Sequence, residues 1–216
     1  MNVTETASPH PSGRFSRLTE AILLLGVTGF AFWFYASTAA PGLTWANYGA
    51  DGGDLLAAAV TNGIPHPTGY PLYTLLLRGW LSVWEFFAPG SDIAWRGNLF
   101  SGFAAALSVA VTVQVVRRVW GERPDGLLAG LLAAVAWMTA PLAWGQALIT
   151  EVYALHTLLF SGLFWALVGP VGLSGRWRAL VLGGLLGLGF AHHVTIGLLL
   201  PGVLYWLWRE EREAIR

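Results

Sequence analysis

The chain has 216 residues, of which 55% are apolar and 11% charged, with no formal net charge and a positive mean hydropathy. That balance lies outside the range of soluble domains, and the apolar residues gather in blocks of roughly 15 to 22, the length that crosses a bilayer's hydrocarbon. Every basic residue is Arg and no Cys is present; disulfides, thiolate metal ligands and a cysteine nucleophile are excluded, and without a long run of like charge so is a nucleic-acid footprint.

Residues 1–19, rich in Ser, Thr and Pro, read as a disordered cytoplasmic leader. The block "AILLLGVTGFAFWFYASTAAPG" follows and predicts a first span over about 20–40. A cleaved signal peptide is its rival, since "ASTAAP" supplies small residues at a cleavage point, but the run is long and ends in bulky aromatics.

The next segment, 41–96, is the polar exception. "GADGGDLLAAAVTNG" predicts a glycine-loosened turn, with Asp51 or Gly53 capping a short helix from Asp54 to Asn62 and Gly63 near its end. Asp51 and Asp54 are three apart, so both carboxylates can approach one point. Such a pair serves as a general base with a raised pKa or clamps a divalent cation; the plainer reading is that one Asp caps a helix and the other is solvated. "IPHPTGYPLY" is forced to be extended by Pro65, Pro67 and Pro71, which hold His66 rigidly as a ligand, a phosphate contact or a turn residue. Leu72 to Ala88 reads as an amphipathic interfacial helix anchored by Tyr70, Tyr73, Trp80 and Trp84.

Five further blocks, 97–116, 126–144, 152–168, 179–191 and 194–208, complete six predicted spans, and 209–216 is a cytoplasmic tail. With the interfacial helix excluded, one side of the membrane receives Arg14, Arg17, Arg117, Arg118, Arg123, Arg176, Arg178, Arg209, Arg212 and Arg216, and the other only Arg78 and Arg96. The positive-inside rule then places both termini in the cytoplasm of an inner or plasma membrane. Asp51, Asp54, His66, Glu151, His156, His192 and His193 all fall near the outer face, and ionisable groups at that depth are costly unless they pair or face a wet cavity. For Glu151 the alternatives are a helix N-terminal charge, a partner for a histidine or a sugar-hydroxyl ligand. His156 bonds a neighbouring helix or the substrate, and His192 and His193 meet one ligand only if the helix breaks between the last two blocks. Small residues four apart, Gly126 with Gly130 and Gly183 with Gly187, predict close helix packing within the chain.

A span, an outer acidic turn of the form D-x-G-[D/E], "HPTGYP" and two interfacial helices, followed by "AWRGNLFS", "ITEVYALHTLLF" and "GFAHHVTIGLLLP", together resemble the protein O-mannosyltransferase-like family of C-superfamily membrane glycosyltransferases. The resemblance runs from about Thr19 to Trp208. It implies an all-α integral membrane fold, with about six transmembrane helices and two interfacial helices in the first outer loop. The implied reaction is inverting transfer of a sugar from a polyprenyl-phosphate donor to a protein or glycan acceptor on the outer face. Asp51 carries the role of general base, with Asp54 as its acidic neighbour. Around them, His66, Arg78, Arg96, Glu151, His156, His192 and His193 are available to bind substrate and lipid phosphate. The resemblance fixes no cofactor, a divalent cation at Asp51 and Asp54 being the candidate, and membrane lipid is the surrounding partner. Family members are longer, so the chain is expected to be a minimal or truncated version or to need a partner subunit. The rival functions are a non-catalytic lipid-carrier-binding or assembly subunit and a small transporter. A haem or metal membrane protein using His156, His192 and His193 is the weakest rival. All-Arg usage hints at a bacterial source.

Overall fold

The computed structural model describes residues 17–45, 51–121, 124–169 and 175–215. The leader up to residue 16 lies outside them, and the last leader residues, from Arg17, are already helical. Among the described residues the fold is all helix: α1 (Arg17–Thr38), α2 (Gly52–Thr61), α3 (Pro71–Phe87), α4 (Ile93–Trp120), α5 (Pro124–Thr139), α6 (Pro141–Ala147), α7 (Val152–Val168), α8 (Gly175–Phe190), a 3-10 segment (Val194–Leu199) and α9 (Leu200–Ile215).

Two of these, Leu18–Thr38 and Ile93–Trp120, are long and apolar enough to cross a membrane, and a third span results if α5 and α6 count as one. The chain is a membrane protein on that ground. The sequence block 126–144, read above as one span, is broken: α5 and α6 diverge by 66°, because Pro141 at the start of α6 supplies no N–H to continue the ladder. α7 and α8 have 17 and 16 residues and the last block opens with six residues of 3-10 helix, all short of the ~20 residues of a straight crossing.

α4 is the axis of the bundle, packing on α1, α5 and α7 along its length and on α2, α3 and α6 at one end. Its start is fixed by Asp92, whose carboxylate accepts the amide N–H of Ala94 at 2.8 Å and of Trp95 at 3.1 Å. Its inward face is small (Ala104, Ala105, Ala106, Ser108, Ala110, all buried), which lets neighbouring backbones approach. Gly126 and Gly130 use that freedom: a Cβ on Gly130 would sit 2.9 Å from the Val113 carbonyl. Gly183 and Gly187 have nothing within 4 Å, so the second glycine pair packs against none of the described residues. Gly130→Ala is therefore expected to destabilise the protein by about 1–3 kcal/mol by overpacking, against less than about 0.5 kcal/mol for Gly187→Ala, measured as shifts in detergent-solubilised unfolding.

The apolar interior falls into two clusters. The larger joins α1 to α7 around Tyr35, Tyr73, Leu77 and Val109. The smaller, Leu163, Ala166, Leu182, Ile196 and Val203, ties α7, α8, the 3-10 segment and α9, and Leu185 packs against both.

Candidate active site

Three chain reversals meet at the end of the bundle where α2 and α3 lie: the α2–α3 loop, the turn between α6 and α7, and the break between α8 and the 3-10 segment. Backbone bonds tie them to one another and to the end of α1, the Leu72 N–H to the Ala191 carbonyl at 2.9 Å and the Ala40 N–H to the Leu148 carbonyl at 3.0 Å. Asn98, in the first turns of α4, is the hub. Its amide donates to the carbonyls of Ala40 at 2.8 Å and Gly42 at 3.1 Å, and its oxygen accepts the Thr150 hydroxyl at 2.8 Å. Gly97 makes room for this, since a Cβ there would stand 2.5 Å from the Thr150 Oγ1. Ser101, one turn on, accepts the Glu151 N–H at 3.3 Å and meets the Glu151 carbonyl at 3.4 Å. Asn98, Ser101 and Thr150 were not among the residues singled out in the sequence; the available signal was a lone Asn in an apolar block, which in a membrane must find partners.

α2 starts and ends near the predicted positions, but the chemistry of its ends differs. Asp51 is its N-cap and makes no side-chain capping bond, and Asn62, rather than Gly63, takes the left-handed C-cap conformation (φ 58°). Freed from capping, Asp51 and Asp54 converge on His66. The Oδ2 of Asp54 accepts both the backbone N–H and the Nδ1–H of His66, each at 2.8 Å. Those bonds hold the Asp54 carboxyl below its ordinary pKa, the backbone donor contributing most, and the same side-chain bond raises the pKa of His66. With Nδ1 claimed, the other ring nitrogen is the one left facing the site. It lies 3.5 Å from the Oδ2 of Asp51 and 3.4 Å from the Tyr70 hydroxyl. Tyr70 is held at φ 40° as the N-cap of α3, a strained conformation for a side-chain-bearing residue that points to a positioned ring. It stacks on His193 with centroids 5.7 Å apart.

The helix does break before the fifth and sixth blocks meet, and the two adjacent histidines part company there. His192, 1% exposed, turns inward and donates from Nε2 to the Val152 carbonyl at 3.0 Å. His193 stays at the site, its Nδ1 accepting the N–H and hydroxyl of Thr195 at 3.2 and 2.7 Å. The same hydroxyl reaches the Nε2 of His156 at 3.2 Å, and the His156 and His193 rings lie 5.2 Å apart. His156 and Tyr153 also line an apolar groove of about 350 Å³ under the α5–α6 bend, with Trp137, Ala143 and Gln146 on its other wall.

Glu151 begins α7 and is 3% exposed, with its Oε2 unpartnered. Burial, and then the Asp51 charge beside it, push its pKa up to about 7. Arg96 is placed differently from the phosphate ligand expected of it: it is 4% exposed, and its guanidinium is committed to Ser91, at 2.7 Å to Oγ and 2.9 Å to the carbonyl, and to Glu85. It clasps α3 to α4. Arg78 stands exposed on α3 and enters none of these bonds. A cation between Asp51 and Asp54 does not fit, because the His66 ring stands between them. Among the described residues no group of three or more His, Asp or Glu is placed to hold a metal ion.

Comparison with known proteins bears on this same stretch. No solved structure matches. A protein O-mannosyl-transferase TMEM260 of Mus musculus is 30% identical over 172 residues, covering 76% of this chain and 23% of its own length. That of Dictyostelium discoideum is 29% identical over 131 residues, 56% of this chain and 14% of its own. The chain thus spans less than a quarter of the length of the curated relatives it matches. The model of the protein O-mannosyl-transferase TMEM260 N-terminal domain matches residues 51–215, beginning at Asp51 itself and covering every histidine and carboxylate of the cluster, so the chain belongs to that family.

Proposed function

We propose that the chain is the membrane module of an inverting glycosyltransferase that takes a sugar from a polyprenyl-phosphate donor and passes it to a hydroxyl of a protein or glycan acceptor. Asp51 is the general base. The observation that carries this is the division of labour between the two aspartates: Asp54 is spent on two donors of His66, whereas Asp51 makes no cap bond and keeps its carboxylate facing the cluster. A carboxylate so placed can take the acceptor's proton as the hydroxyl oxygen attacks the anomeric carbon and the lipid phosphate departs. His66, drawn towards its charged form by Asp54, is a cationic group beside Asp51, and His193, whose Nδ1 accepts from Thr195, keeps its Nε2–H as a neighbouring donor, while the Nε2–H of His156 is spent on the Thr195 hydroxyl. The groove beside His156 suits a prenyl chain.

The six-span topology belongs to this reading. It places the cluster at the outer face and both termini in the cytoplasm, supported by Arg117 and Arg118 at the far end of α4 from Asn98. The relatives' name as O-mannosyl-transferases makes mannose the first sugar to try. A catalytically silent carrier-binding subunit is the second reading.

The test is transfer of labelled sugar by the chain in lipid nanodiscs, offered polyprenyl-phosphate mannose, other polyprenyl-phosphate sugars and nucleotide sugars, with an acceptor peptide. Transfer from a lipid-linked donor alone is expected. Transfer from nucleotide sugars overturns the donor assignment, and donor binding without turnover moves the chain to the second reading.

A further inference from the structure

Glu151 is the buried ionisable group that the reaction above leaves unused. Its backbone is fixed on both sides of the residue, through Ser101 and through the Thr150–Asn98 bond. One carboxyl edge is engaged by the backbone N–H groups of Asp51 and Val152, and Oε2, fully buried, has no partner. A carboxylate in that position would carry an unpaired charge in an almost dry site, next to the Asp51 carboxylate. Among the described residues no arginine answers it: Arg96 is committed to Glu85 and Ser91. The groups facing Glu151 are Asp51 from α2, His66 from the following loop, Tyr70 and Tyr73 from α3, and Ser101 from α4. Of these only His66 can carry positive charge, and it is bracketed by Asp54 and Asp51.

We propose that Glu151 is a neutral carboxylic acid in the working protein, and that its Oε2–H is a hydrogen-bond donor held for an oxygen of the bound substrate. This rests on the transferase reading for the identity of the substrate, and the accepting atom is a sugar hydroxyl or a phosphate oxygen. An acid beside a base is the arrangement that burial and charge repulsion favour, one carboxyl ionised and its neighbour not. The raised pKa of Glu151 agrees with it. Glu151 gives no proton away in the step: Asp51 takes the acceptor's proton, and Glu151 only donates a hydrogen bond.

The experiment compares wild type, Glu151→Gln and Glu151→Ala. Transfer is assayed in nanodiscs with polyprenyl-phosphate mannose from about pH 5 to about pH 8. Gln keeps a neutral donor at the same place, so it is expected to recover most of the rate that Ala loses, roughly tenfold or more. Wild type should lose rate near pH 7 through Glu151 as well as through His66, while Gln keeps the His66 limb alone. Gln as inactive as Ala, in folded protein, overturns the proposal, because it means that an ionised Glu151 is needed. A second readout needs no activity. A folded-state pKa above the unfolded value makes stability fall as pH rises between the two, from about 4.5 to about 7. The melting temperature of wild type is therefore expected to fall by several degrees relative to Glu151→Gln across that window. A constant difference overturns the neutral acid even if transfer is robust; a wild type that transfers nothing yet shows the melting shift overturns the transferase reading and keeps the acid.

Discussion

Asp51→Asn is expected to lower sugar transfer by about 10²–10⁴-fold with little change in donor affinity, the range of a lost general base. The substitution keeps the shape of the side chain and removes its ability to take a proton. The fold leans little on the charge: Asp51 makes no capping bond, its contact with His66 at 3.5 Å is a half-exposed ion pair, and α2 retains its own ladder, beginning with the Leu55 N–H on the Asp51 carbonyl at 2.9 Å. A rate loss without a stability loss is therefore the signature. Asp54→Asn is the contrast. Its side chain still accepts from His66 but no longer carries the charge that raises the His66 pKa, so about a tenfold loss is expected, with the rate limb of His66 moved to lower pH. If Asp54→Asn proves the more severe and Asp51→Asn retains more than a tenth of the rate, the two roles are exchanged.

Asn98→Ala should be the most damaging single change to stability at this end of the bundle, about 2–4 kcal/mol. It strips three bonds at once, from Ala40, Gly42 and Thr150, and leaves two carbonyls and a hydroxyl in a site where Asn98 is 2% exposed. Interhelical bonds in membranes average under 1 kcal/mol each, but orphaned buried groups cost more than the bonds they lost. Thr150→Val alone should cost about 1 kcal/mol. In the double variant the combined cost should fall short of the sum by about 1 kcal/mol, since both changes remove the same bond. Unfolding of the four proteins in detergent measures this, and strict additivity would show that Asn98 is no hub.

Much of the site was legible before the fold was known, because its signals were local. Two acids three apart and a histidine between prolines, in a chain this apolar, had to face one another or water, and Asp51, Asp54 and His66 do meet. What was illegible depends on partners distant in sequence. Arg96 reads as a free cation until α3 brings Glu85 to it, and His192 reads as a ligand until the break after Phe190 turns it onto Val152. Asn98 lies 58 residues from Ala40 and 52 from Thr150, separations no periodicity reveals. The bend at Pro141 was legible in principle: the proline was visible, but hydropathy averages over it.

The two interior clusters divide the site between them. Asp51, Asp54 and His66 lie beside the larger, and His193 and Thr195 beside the smaller; Leu185 packs against both, and the Leu72–Ala191 backbone bond joins the two sides. α7 is their common wall, with Leu155 and Leu159 in one cluster and Leu163 and Ala166 in the other. A substitution that shifts α7 is therefore felt by the carboxylates and by the imidazoles at once, and neither half of the site can be remodelled without the other.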